Sequence, residues 1–152
     1  MKWTTRGRYS VKALLDLALI DGQQPMSVRA IAERQNIPAP YLEKLLGELR
    51  QAGLVTSQRG AHGGYRLARP ARAISLGQVL AAVGETIQPL DAAQPDDKAR
   101  GTENVEDWVT QAVWQRVTQQ LQQVVDSITL EDLYFDARSR AAAQSESPEF
   151  VV

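Results

Sequence analysis

Apolar residues recur along the first 52 positions at helical spacing. Val11, Leu14, Leu15, Ala18 and Leu19 fall at i, i+3, i+4, i+7 and i+8, which predicts an amphipathic helix ending near Asp21-Gly22. Ser27 is placed to cap a short second helix with Val28, Ile31 and Ala32 inward, broken at Asn36-Ile37-Pro38. Pro40 sits where a first helical turn accepts proline, because its missing N–H had no helical partner. Leu42, Leu45, Leu46 and Leu49 then form a third stripe, closed by Gly53. The texture changes at this point. Leu54-Val55-Thr56-Ser57 and Tyr65-Arg66-Leu67 read as two short strands with Gly60, Gly63 and Gly64 between them, a glycine-tipped β-hairpin that Pro70 ends.

Ser75 and Gln78 have capping-box spacing, with Ile74 as the staple, and open a fourth helix through Val83. Residues 85–103 hold prolines, glycine and charges without periodicity and read as a loop. Asn104, with Glu106 and Asp107 behind it, starts a long helix to about Ser127. Its apolar face holds Trp108, Val109, Ala112, Val113, Val117, Leu121, Val124 and Ile128, and its other face is glutamine-rich. Thr129 to Asp132 begins one more short helix. The expected fold is mainly α with a small β-hairpin. It divides into a winged helix-turn-helix DNA-binding domain over 1–84, the loop 85–103, a dimerisation helix and short C-terminal helix over 104–138, and a disordered tail over 139–152.

Composition narrows the chemistry. The 152 residues contain no Cys and one His, which excludes a disulfide framework, a zinc–thiolate site, a cysteine nucleophile and histidine-pair metal motifs. No apolar run approaches the roughly 18 residues of a membrane span, and the N-terminus lacks a secretory apolar stretch, so the expected setting is cytoplasmic. The formal net charge of −1 hides a polarity: residues 1–75 carry 12 Lys+Arg against 5 Asp+Glu, and residues 76–152 carry 5 against 13. A basic half followed by an acidic half points to a polyanion as partner of the first, unless the charges only solvate two faces; the winged-helix order of elements makes double-stranded DNA the expected polyanion.

The order helix, helix, helix, hairpin supplies the placement. The third helix takes the recognition role, with Tyr41, Glu43 and Lys44 at its N-terminal end aimed at the major groove. Glu43 suits a cytosine amino group, while Lys44 and Arg50 suit phosphate. An ordinary charged helix surface is the competing reading of each. On the hairpin, Arg59, His62, Gly64, Tyr65 and Arg66 are the candidate DNA contacts, the arginines suiting a minor groove or phosphates. A lone loop histidine such as His62 is more ordinarily a surface hydrogen-bonder. The cluster Lys2, Thr4, Thr5, Arg6, Arg8 and Tyr9 precedes the first helix and is either a phosphate anchor, with Lys2, Thr5 and Arg8 the leading candidates, or a solvated terminus.

The long helix needs a partner for its apolar face, and a homodimer supplies one through Trp108, Val113, Trp114, Val117, Leu121 and Val124. Trp108 and Trp114 are six apart, hence about 240° around the helix. One can pack on its own domain and the other on the partner. No nucleophile–base pair, P-loop or paired-histidine motif points to an enzyme. The runner-up is a winged-helix protein-interaction module, suggested by the acidic half and the glutamine face. Asp91, Asp96, Asp97, Glu103, Glu106 and Asp107 show no regular ligand spacing; a solvated loop is favoured over a metal site, so no metal and no cofactor are expected.

These residues together resemble the Rrf-type bacterial winged-helix regulators, the family of IscR, NsrR and CymR. The resemblance is carried by Thr5-Arg6-Gly7-Arg8-Tyr9, Tyr41-Leu42-Glu43, the wing Arg59-Gly60 through Gly63-Gly64-Tyr65, Ala112-Val113-Trp114 and Ile128 to Leu133. It implies a homodimeric, sequence-specific DNA-binding transcriptional regulator, usually a repressor on a pseudo-palindromic operator. Iron–sulfur members carry three cysteines before the long helix, where this chain has Ala92-Ala93-Gln94-Pro95-Asp96-Asp97-Lys98. Near Gln111 those members show a histidine. The resemblance is therefore to the cluster-free branch, some of whose members answer to a metabolic-enzyme partner. A small-molecule effector, in a pocket between the fourth and the long helix, is the other option. Pro38 and Pro40 stand where members often carry hydroxyl residues, which implies an altered operator preference.

Overall fold

The computed structural model describes residues 4–20, 24–87 and 104–145. In chain order they form α1 (Thr5–Leu19), α2 (Val28–Gln35), α3 (Ala39–Gln51), β1 (Val55–Gln58), β2 (Gly64–Leu67), a single 3-10 turn (Ala71–Ala73), α4 (Leu76–Ala82), α5 (Val105–Ser127) and α6 (Leu130–Ser145). The expected class, mainly α with a two-stranded antiparallel sheet, is what forms.

α1 is the hub, packed against α2, α3, α4, α6 and β2. Coverage on so many sides changes which of its residues are inside. The buried row is Ser10, Ala13, Leu14 and Leu17, whereas Val11, Leu15 and Ala18 are half-buried flanks and Leu19 is 40% exposed. The expected stripe was therefore rotated, because Ser10 and Asp16 are polar yet buried. Asp16 is held by Arg34 of α2 at 3.0 Å, which makes its burial tolerable. The helix also begins earlier than its apolar stripe implied, so Thr5, Arg6, Arg8 and Tyr9 lie within α1 rather than before it.

α3 follows its sequence closely. Leu42, Leu45, Leu46 and Leu49 are all fully buried, each contributing roughly 1.5–3 kcal/mol of apolar burial. Gly53, at φ +73°, ends the helix: its N–H bonds to Arg50 O and the next N–H, of Leu54, reaches back to Leu49 O, both at 3.0 Å. That reversal feeds β1, which pairs with β2 in the register Val55 to Leu67 and Ser57 to Tyr65. A feature with no periodic signal adds a third element. Met26 and Tyr65 exchange both backbone hydrogen bonds at 2.8 Å, so the residue just before the Ser27 cap of α2 edges the hairpin.

The Ser75–Gln78 capping box forms, with Ile74 fully buried beside it. Leu76 N–H donates to Ile128 O, and Leu130 N–H to Ile74 O, each at 2.8 Å, pinning the α5–α6 joint to the start of α4. Thr129 and Asp132 cap α6 reciprocally, at 2.8 Å and 3.2 Å. α6 is not short. It continues through Ser145, well into the stretch expected to be a disordered tail, and its Leu130 and Leu133 pack on the core.

Candidate nucleic-acid interface

The exposed side of α3 presents Glu43, Lys44 and Arg50 on a helix whose other side is clamped by four buried leucines. Tyr41 is half-buried and meets Tyr9 edge-on at 5.9 Å between ring centroids, tying the start of α3 to α1. Arg50 Nη1 donates to Ser57 Oγ at 3.1 Å, which joins the end of α3 to β1. Arg66 Nε donates to the neighbouring Thr56 Oγ1 at 3.4 Å. Successive strand residues face opposite sides, so the two guanidinium groups straddle β1.

The wing tip is built by steric necessity. A Cβ on Gly64 would overlap the Met26 carbonyl, and its φ of +150° disfavours any side chain. Gly64 and Tyr65 are thus wing-forming positions: Tyr65 is half-buried, packed on the core and strapped to Met26. Arg59 and His62 stand exposed at the tip. Among the described residues, Arg8, Lys44 and Arg59 have exposed side chains with no hydrogen bond or ion pair, as do Arg116 and Arg140 on the C-terminal helices, and Thr5 is exposed at the first position of α1. Lys2 lies outside the described residues. Two further exposed cations follow the wing, Arg72 fully and Arg69 in part, and Arg6 is bound internally to Glu48 and Val83. Glu48 raises the Arg6 guanidinium pKa above its ordinary value, with smaller contributions from Tyr41.

Among the described residues, α5 packs on the rest of the chain chiefly through its C-terminal end, against α4. Val125, which the sequence reading left off the apolar face, is its one buried residue and packs with Leu76 and Leu80. Trp108 is 64% exposed and Val113, Val117 and Val124 lie open, while Trp114 and Leu121 are half-buried. The reason is geometric. Val109, Val113, Val117, Leu121 and Val125 form a row at i+4 spacing, which winds about 40° around the helix at each step. It faces outward near the start of α5 and turns into the chain's own body at the end.

α4 and α5 meet closely at one point, and α1, α4 and α6 close together beside it. A Cβ on Gly77 would collide with Asp126, and the gap among Val11, Leu76, Val79, Leu130 and Leu133 admits no water. An open cleft of about 600 Å³ lies elsewhere, between the start of α1, Tyr41 and residues 83–86.

Comparison with known proteins decides the family. The profile of Rrf2, described as an iron-dependent transcriptional regulator, matches residues 3–136. The chain belongs to the Rrf2 family. An HTH-type transcriptional regulator of Synechocystis is 54% identical to it over the full length of both chains. The regulator IscR of Vibrio parahaemolyticus is 40% identical, over 90% of this chain and 79% of its own. Among solved structures, CymR, the global cysteine regulator of B. subtilis, superposes with a TM-score of 0.73 at 35% identity, covering 88% of this chain and 96% of that one. This Rrf2 protein is accordingly a helix-turn-helix transcriptional regulator. The iron in the family's description does not fit a cysteine-held cluster here, since the chain has no Cys. Among the described residues no three His, Cys, Asp or Glu side chains gather as a metal site; Asp91, Asp96, Asp97 and Glu103 lie outside them. No helix of the described residues is long and apolar enough to cross a membrane.

Proposed function

We propose that the protein is a cytoplasmic, homodimeric repressor that binds a pseudo-palindromic operator. α3 enters the major groove, the Arg59 tip lies in the flanking minor groove, and Thr5, Arg8, Lys44, Arg50 and Arg66 meet phosphates. Tyr41 and Glu43 are the base-reading candidates at the front of α3, with His62 beside the wing tip. The observation that carries this reading is the set of unpaired, exposed cations on α3 and the wing, Lys44 and Arg59, on a face otherwise fixed by buried leucines.

Dimerisation goes through α5, with Val113, Trp114, Val117, Leu121 and Val124 in the central contact and Trp108, about 140° around the helix from Val113, reaching the partner from the other side. An exposed contiguous apolar row on a helix about 34 Å long needs covering, and a two-fold contact covers it with itself. Rows at i+4 spacing on both copies interdigitate at a crossing angle of about −50°. The controlling signal is a small molecule or a protein partner, because the chain has no cysteine to hold a redox cluster.

Selection of genomic fragments by the purified protein tests the reading. A motif of two inverted half-sites, bound more weakly as salt rises, is expected. No enriched motif at low or moderate salt, together with a stoichiometric protein partner in pull-downs, would favour the interaction-module alternative.

A further inference from the structure

Arg6 lies in the first turn of α1 and reaches two distant elements. Its Nε donates to the carbonyl of Val83, the C-cap of α4, at 3.1 Å, and its Nη2 donates to the Glu48 carboxylate on α3. The two side chains are 33% and 26% exposed. Glu48 is the one acid at helix-neighbour spacing from Lys44, four residues on, where side chains ordinarily pair. Here it turns to Arg6 instead, and Lys44 stays exposed and unpaired.

We propose that Arg6 is a positioning residue for DNA binding: by holding Glu48 it keeps that carboxylate off Lys44 and leaves Lys44 free for a phosphate. The inference rests on the reading of α3 as the DNA-recognition helix. Without Arg6, Glu48 swings back along α3 and neutralises Lys44. The loss is then a lost cation on the DNA face, although Arg6 itself touches no DNA.

The test is a double-mutant cycle on the full chain with the selected duplex. Arg6→Gln should weaken binding about two- to fivefold and lower the salt slope of log K measurably, by at most about 0.9 per protomer, the value of one whole phosphate contact. Adding Glu48→Gln should restore both, because the carboxylate that captures Lys44 is gone. Arg6→Lys, which retains a cation for Glu48, should stay near the wild-type slope. Were Arg6 itself a phosphate anchor, the double variant would remain as weak as Arg6→Gln, and the proposal would be overturned. An unchanged slope in Arg6→Gln with only a lowered melting temperature would overturn it too, leaving an ordinary structural ion pair. If the wild type binds no duplex above background, the DNA reading fails instead, and that outcome is visible before any variant is made.

Discussion

Removing Val113 is the sharpest perturbation of the proposed dimer, because it stands in the row of Val109, Val117 and Leu121. It is 52% exposed in the single chain. Val→Ala removes two methyl-sized groups, worth about 1.6 kcal/mol when fully buried, so roughly half of that, about 0.8 kcal/mol per copy, is left for a partner to supply. The contact is isologous, so each substitution counts twice in the dimer. Val113→Ala should therefore cost the dimer about 1.5 kcal/mol, a rise in Kd of roughly 10-fold. Sedimentation across a concentration series reads this directly. Gln115→Ala, exposed and about 200° around α5 from Val113, serves as the control and should leave the Kd within about twofold. The monomer's melting temperature should hardly move, since Val113 packs on little of its own chain. A variant that remains dimeric at the wild-type Kd would refute the assignment of α5 as the contact.

Other consequences follow from single residues. Arg59→Ala should cost about 1–3 kcal/mol of operator affinity and relax preference at one flanking position if the tip reads the minor groove, measured by competition between duplexes. Gly64→Ala forces a Cβ onto the Met26 carbonyl at a φ of +150°, so it should release the wing and abolish tight operator binding while circular dichroism shows the helices retained. Asp132 is held below its ordinary pKa, first by the backbone N–H of Thr129 and then by its hydroxyl. A depressed folded-state pKa contributes stability above the unfolded value of about 3.9, lost as pH falls through the folded value. Asp132→Asn should therefore flatten the acid side of the melting-temperature profile and leave binding near neutral pH unchanged.

Local chemistry made much of the architecture readable. The α3 leucines, the Ser75–Gln78 box, the Asn104 cap and the Gly53 reversal each express their structure within a few residues, and periodicity or capping geometry suffices to find them. What escaped depends on contacts far apart in sequence. Asp16 is inside because Arg34 meets it, so a hydrophobic count misplaced the buried side of α1. The Met26 strap is one residue long and has no period to detect. Val125 is buried while Val124 beside it is 54% exposed, a difference decided by where Leu76 and Leu80 sit. On the candidate interface, charge and glycine content marked the wing and α3. Nothing in the pattern indicated that Tyr65 would turn inward or that Arg6 would be spent on Glu48, 42 positions away. The C-terminal helix was underestimated because its alanine- and serine-rich sequence lacks an apolar stripe, although alanine itself favours helix.

The central claim, one dimer reading two half-sites, comes down to a single comparison. The protein is titrated onto the selected duplex and onto the same duplex with one half-site scrambled, at identical salt. Two protomers joined through α5 should bind the intact site at least about 100-fold more tightly, as expected when a second contact becomes intramolecular. Equal affinity for the two duplexes would contradict the account.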